Sequence, residues 1–305
     1  MPMKQEYARL VTMATWIAAT ASALLLIAKV ITCWFTGSVS LLASTIDSLL
    51  DITASIINLI AVRYSLQPAD KEHTFGHGKA ESLSALAQAM FISGSSCFLI
   101  LNGVERYFHP HKLNYPEYGI YVSLLSIIIT YALVTFQKYV IKQTGSQAIM
   151  ADSLHYQSDL YMNTAIVLGL SLSYLGIDRA DSIFAVVIGI FILRSAFRIT
   201  IEASQNLLDR KLPDEELEEI RQNCLSTAGV LGVHQIRTRM SGPIRFIQFH
   251  LELQDKITLL DAHKISDKVE NKLLKIFPEA DILIHQDPVS SIMQEKTRKR
   301  AIVTK

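Results

Sequence analysis

The chain has 305 residues, of which half are hydrophobic and only 19% charged, with a net charge of +1. Soluble proteins carry about 25% charged residues, so much of this chain belongs in lipid, and its near-neutral balance excludes a nucleic-acid partner. The three cysteines, Cys33, Cys97 and Cys224, include no pair at metal-site or redox spacing, which excludes thiol chemistry.

Charges are sparse up to Asn206 and dense afterwards. This predicts a transmembrane domain over residues 1–208, a cytosolic domain over 209–290 and a disordered basic tail over 291–305. A membrane-spanning helix needs about 20 mostly apolar residues. The runs Met13–Phe35, Val39–Tyr64, Leu83–Asn102, Tyr118–Ile141, Ile149–Leu175 and Ile183–Thr200 therefore predict six spans. The first is too long for a signal sequence and is expected to be retained. One side of the predicted spans collects Lys4, Arg9, Arg63, Lys71, Lys79, Lys138, Lys142, Arg198, Arg210 and Lys211, whereas the other has Arg106, Lys112 and Arg179. Positive residues stay inside, so both termini are expected in the cytoplasm.

After Asp209 the pattern becomes that of a small α+β module. Pro213 before three acidic residues predicts a helix start, because proline suits the first turn and carboxylates favour the positive end of the helix dipole. His234–Met240 and Ile244–Leu253 read as strands joined by a Ser241-Gly242-Pro243 turn. Thr258, with Asp261 three residues on, resembles a capping box and opens a second helix. Asp281–Asp287 completes an α-β-β-α-β order.

Ionisable residues inside the apolar spans demand an explanation, since charge at membrane depth is costly unless something uses it. Asp47 and Asp51 are four residues apart in the second span; His155 and Asp159 repeat the interval in the fifth. On a helix, such pairs lie on one face roughly 6 Å apart. Two helices facing each other thus bring together three carboxylates and an imidazole, a tetrahedral set suited to zinc and related dications. The two pairs lie roughly 12 to 18 Å along their spans, from opposite sides, so they are expected to meet near the midplane. The shared pattern Ala43-x3-Asp47-x3-Asp51 and Ala151-x3-His155-x3-Asp159 also fits an inverted repeat of three spans. Three bare carboxylates cannot all stay charged in a low dielectric, so metal entry is expected to displace protons, which implies antiport. A closed cage holds its ion too firmly for a channel and favours alternating access.

Asp70, His73 and His77 form a second cluster in the loop between the second and third spans. His234, His250, His263, His285 and Asp287 form a third, in the soluble module, where alternation puts His285 and Asp287 on one strand face and hairpin pairing brings His234 towards His250. Solvated surface histidines are the competing reading there. His109 and His111 flank Pro110 and read as a turn.

The segments Asp47-Ser-Leu-Leu-Asp51, Ser65-Leu-Gln-Pro-Ala-Asp70, His73-Thr-Phe-Gly-His77-Gly-Lys-Ala-Glu81, His155-Tyr-Gln-Ser-Asp159 and His285-Gln-Asp-Pro288 resemble the cation diffusion facilitators, and within them the bacterial ferrous-iron and zinc efflux branch. The resemblance runs from Tyr7 to Pro288. It implies an inner-membrane homodimer of six-helix protomers that exports Zn²⁺, Fe²⁺ and Cd²⁺ in exchange for protons. It assigns Asp47, Asp51, His155 and Asp159 to the transport site and Asp70, His73 and His77 to the loop site. In a cytosolic domain resembling copper metallochaperones, it assigns His234, His250 and Asp287 to one regulatory metal and His263, His285 and Asp287 to a neighbour. It pairs Lys79 with Asp209 as a salt bridge between domains. Zinc-restricted relatives tend to carry histidine where this chain has Asp47, so an all-oxygen pair fits broader selectivity. An intramembrane metal-dependent hydrolase is the rival reading, weakened by the lack of a His-Glu-x-x-His motif; a metal sensor that moves no ions is another.

Overall fold

The computed structural model describes residues 2–36, 39–108, 116–174 and 180–292. The Asp47 side chain, His109, His111 and residues 293–305 of the tail lie outside the described residues. Six long helices come first: α1 (Pro2–Thr36), α2 (Val39–Ser65), α3 (Lys79–Phe108), α4 (Pro116–Thr144), α5 (Gln147–Tyr174) and α6 (Ala180–Leu207). The smaller module follows as α7 (Asp214–Leu225), β1 (Gly232–Ser241), β2 (Ile244–Leu253), α8 (Leu259–Ile276) and β3 (Asp281–Pro288). The chain divides into two compact units at Leu207–Leu208.

Every helix in the first unit matches an apolar run of the sequence, and most extend beyond it at both ends, with α2 sharing its start at Val39 and α5 described to Tyr174. Charged and amphipathic side chains at a membrane surface keep the backbone helical while reaching water, so the helix outlasts the apolar stretch. Within the described residues, the stretches Gln5–Phe35, Lys79–Glu105, Leu124–Thr144 and Ser182–Leu207 are long and apolar enough to cross a membrane. The other two helices, α2 and α5, carry the ionisable pairs. Apolar side chains such as Trp34, Phe98, Leu101, Ile128 and Phe197 stand exposed on the outside of this unit, as lipid contact requires.

Inside the bundle, small residues let helices approach closely. Ala85, Ala89, Ala151, Ala196 and Ala203 pack with Ile92, Leu154, Ile192 and Ile199 where α3, α5 and α6 meet. Gly189 of α6 shows how tight this is: a Cβ there would come within 2.6 Å of Ile100 Cγ1 on α3. At one end of the unit, Glu81 of α3 is almost fully buried and accepts hydrogen bonds from Tyr7 Oη of α1 (2.6 Å) and from Ser146 Oγ, just ahead of α5. Its carboxylate thereby meets the positive end of α5, which carries the His155–Asp159 pair.

In the second unit, β1 pairs antiparallel with β2, and β3 adds parallel to the other edge of β2. Ile247, Phe249, Leu251 and Leu253 point from β2 into a core closed by Ile220 and Cys224 of α7 and by Ala262, Val269 and Leu273 of α8. Burial pushes the Cys224 thiol up to about 12, so it stays protonated and serves as a small apolar filler. Thr258 caps α8 as the sequence predicts, its Oγ1 accepting the Asp261 N–H at 3.1 Å. Thr258→Ala should cost about 1 kcal/mol and speed amide exchange in the first turn of α8 about fivefold, measured by hydrogen exchange on the full chain.

Candidate metal sites

Asp51 of α2 and His155 and Asp159 of α5 bring one ligand atom each to within 4.8 Å of one another. His155 Nε2 lies 3.2 Å from Asp51 Oδ1, yet it is buried and makes no hydrogen bond. An imidazole nitrogen and a carboxylate oxygen this close can bind one cation together. Tyr156, next in the chain, is buried and its Oη lies 2.6 Å from Ser55 Oγ of α2 and hydrogen-bonds Ser22 Oγ of α1, tying the two ligand-bearing helices to a third. Asp47 sits one turn before Asp51 on α2, so its place in the cage rests on helical spacing.

Two polar residues near this site escaped the sequence reading. Asp152, one turn before His155 and buried, accepts a hydrogen bond from Gln137 Nε2 of α4 at 2.7 Å. Lys29 of α1 donates from Nζ to Ser48 Oγ at 2.7 Å, beside the α2 acidic pair. A single charged residue in a long apolar run was the available signal for each.

The loop cluster also comes together, with the Asp70, His73 and His77 ligand atoms within 4.8 Å of one another. Asp70 Oδ1 accepts the backbone N–H groups of His73 (2.6 Å) and Glu72 (2.9 Å). The hydrogen bond from His73 is the main reason this exposed carboxyl is held below its ordinary range. It therefore remains anionic and available to a cation under mildly acidic conditions. His77 is buried, with Nε2 at 3.3 Å from Asp70 Oδ2 and its ring edge-on to Tyr64, so the site has one rigid wall and two exposed ligands.

On the sheet face away from the helices, strand register does the assembling. His234 pairs with His250 across β1–β2, and His250 with His285 across β2–β3. Asp287 Oδ2 lies 2.7 Å from His250 Nδ1 and 3.5 Å from His234 Nε2, and its Oδ1 is 3.1 Å from His285 Nε2. The trio able to hold one ion is His234, His250 and Asp287. Two imidazoles and a carboxylate fit a borderline-soft dication. His263 projects from α8, 67% exposed, with Nε2 at 3.5 Å from Asp267, and is not in that trio. Glu252 is a further residue the sequence reading missed: its Oε1 lies 3.1 Å from His234 Nδ1, on the side of the ring away from Asp287. Its alternation with His250 was the signal. Gly232 makes room for it, since a Cβ there would meet Glu252 Oε2 at 2.5 Å. A bulge between His234 and Arg237, with Gln235 at φ 50°, interrupts the β1 ladder next to the site.

Lys79 Nζ donates to the Leu207 carbonyl at 3.1 Å, closing the start of α3 on the end of α6. Asp209, at φ 59°, has Oδ2 3.5 Å from Arg239 Nη1 within the second unit.

A six-helix apolar bundle with carboxylate and imidazole ligands between its helices, followed by an αββαβ module with histidines on its open sheet face, defines a metal-handling membrane transporter. Residues 15–208 match the cation efflux transmembrane domain and residues 212–289 match the cytoplasmic domain of cation efflux proteins. The chain belongs to the cation efflux, or cation diffusion facilitator, family. It is 57% identical over 295 residues to the cation-efflux pump FieF of Pectobacterium atrosepticum, covering 96% of this chain and 98% of that protein. To the cation-efflux pump FieF of Escherichia coli (strain K12 / DH10B) it is 53% identical over 296 residues, covering 97% and 99%. Among solved structures, the Zn form of CzrB aligns over 27% of this chain and 94% of its own, at 35% identity and a TM-score of 0.25. Family membership makes the chain a multi-pass cation efflux transporter and not an enzyme, which sets aside the hydrolase and the non-transporting sensor.

Proposed function

We propose that the protein exports Zn²⁺, with Fe²⁺ and Cd²⁺ as further substrates, from the bacterial cytoplasm across the inner membrane in exchange for protons. The observation that carries this reading is the convergence of Asp51, His155 and Asp159 between two membrane helices, with a buried imidazole nitrogen left without a hydrogen bond. Asp47 supplies the fourth ligand. When the dication leaves, the carboxylates are too crowded in a low dielectric to remain all ionised, so protons replace it. Each half-cycle therefore offsets most of the cage's negative charge, and alternating access follows because a cage of low net charge moves between two faces at the lowest cost. The protein works as a homodimer with both termini in the cytoplasm. Residues 1–208 form the transport domain and 209–290 the cytosolic domain, joined by a Lys79–Asp209 salt bridge. Asp70, His73 and His77 hold a metal in the cytoplasmic loop. His234, His250 and Asp287, with His263 and His285 serving a neighbouring ion, hold regulatory metal.

Counter-transport in proteoliposomes under an imposed pH gradient tests the reading with Zn²⁺, Fe²⁺, Cd²⁺ and Mn²⁺. Zn²⁺, Fe²⁺ and Cd²⁺ should each move against proton flow. Metal flux with no accompanying proton movement would reject the antiport.

A further inference from the structure

Lys29 lies within the apolar span of α1, seven residues and about 10 Å before its end at Thr36. A lysine so placed ordinarily extends its stem outward so that the ammonium reaches water. Here the head turns inward. Nζ donates to Ser48 Oγ at 2.7 Å, and Ser48 is only 2% exposed. Ser48 adjoins Asp47 in the chain and stands three residues before Asp51, a spacing that puts the hydroxyl and the Asp51 carboxylate on one face of α2 about 5–6 Å apart. The hydrogen bond thus delivers a cation to the edge of the acidic ligand set.

The charge balance gives this placement a purpose. Three carboxylates and one neutral imidazole around a dication leave one uncompensated negative charge, which is expensive in a low-dielectric bundle. We propose that Lys29 is the fixed counter-charge of the transport site: its ammonium brings the dication-loaded cage to neutrality and keeps metal affinity low enough for release. The inference rests on the four-ligand transport site proposed above. It makes Lys29 a determinant of turnover and of charge selectivity without making it a ligand. Removing its charge leaves the loaded cage anionic, so metal is held more tightly and leaves more slowly.

The test is Zn²⁺ transport by the full chain in proteoliposomes at mildly alkaline pH, where protons compete least. Lys29→Met should lower KM about tenfold and lower kcat in step, as an unscreened unit charge at this range requires. Lys29→Arg, which keeps the charge, should restore both. Ser48→Ala, which removes the hydrogen bond but leaves the charge, should shift either constant by no more than about twofold. Lys29→Gln serves as a second neutral variant if Lys29→Met fails to fold. The proposal is overturned if neutral variants leave KM unchanged or raise it, if Ser48→Ala reproduces their effect, or if arginine does not rescue. Failure of the transport-site reading looks different: Asp159→Ala would then retain normal flux whatever the Lys29 variants do.

Discussion

Replacing Asp159 or Asp51 by alanine should reduce metal-driven proton movement in sealed vesicles by at least about 100-fold, because each deletes a direct ligand, and the loss of an outer partner alone costs 10–100-fold. The two residues sit on different helices, Asp51 on α2 and Asp159 on α5, and each brings a carboxylate oxygen to within 4.8 Å of a His155 ring nitrogen. Each deletion leaves too few donors to close a tetrahedron around the ion. Under the proposed exchange it also removes a carboxylate that accepts a proton on the return step, so affinity and coupling fail together. Binding measured by calorimetry on the same variants should retain the component from His234, His250 and Asp287, which separates loss of transport from loss of folding. Normal flux in either variant would reject the four-ligand site.

A different failure is expected at the cytosolic cluster. His250 makes the shortest contact with the shared carboxylate, 2.7 Å from Nδ1 to Asp287 Oδ2, and sits at the centre of the His234–His250–His285 row. His250→Ala should raise the Zn²⁺ concentration for half-maximal transport at least about tenfold while leaving residual turnover, because the transport ligands on α2 and α5 are untouched. The measurement is initial rate against free Zn²⁺ in proteoliposomes. Complete loss of turnover would give this cluster a direct part in translocation rather than control.

Much of this architecture is legible from local chemistry. The Pro213 and acidic start of α7, the Ser241-Gly242-Pro243 turn, the Thr258 cap and the apolar runs of all six long helices each reflect constraints acting within a few residues. The i, i+4 pairs identify Asp51, His155 and Asp159 because the helix repeat alone sets which side chains share a face. Less legible is whatever depends on which strand or helix lies beside which. Parallel pairing of β3 with β2, which sets His285 beside His250, is decided by packing of α8 between them in sequence. Lys29, Asp152 and Glu252 are each marked by residue type, but what they do is defined only when Ser48, Gln137 and His234 are brought to them. His263 is a further case: its residue type suggests a ligand, and on the surface of α8 it stands exposed with Nε2 3.5 Å from Asp267.

The irregularity in β1 reaches further than its size suggests. Between His234 and Arg237 the strand spends two residues, Gln235 and Ile236, opposite Phe249 alone. Strict alternation would send His234 and Arg237 to opposite sides of the sheet; the extra residue lets both face outward. A deletion of Gln235 would therefore do what no single substitution does. It would remove the extra residue and leave a regular ladder, with His234 still opposite His250 and Arg237 still opposite Gln248, whereas a one-residue insertion or deletion between Arg237 and Ser241 would turn every following side chain to the other face.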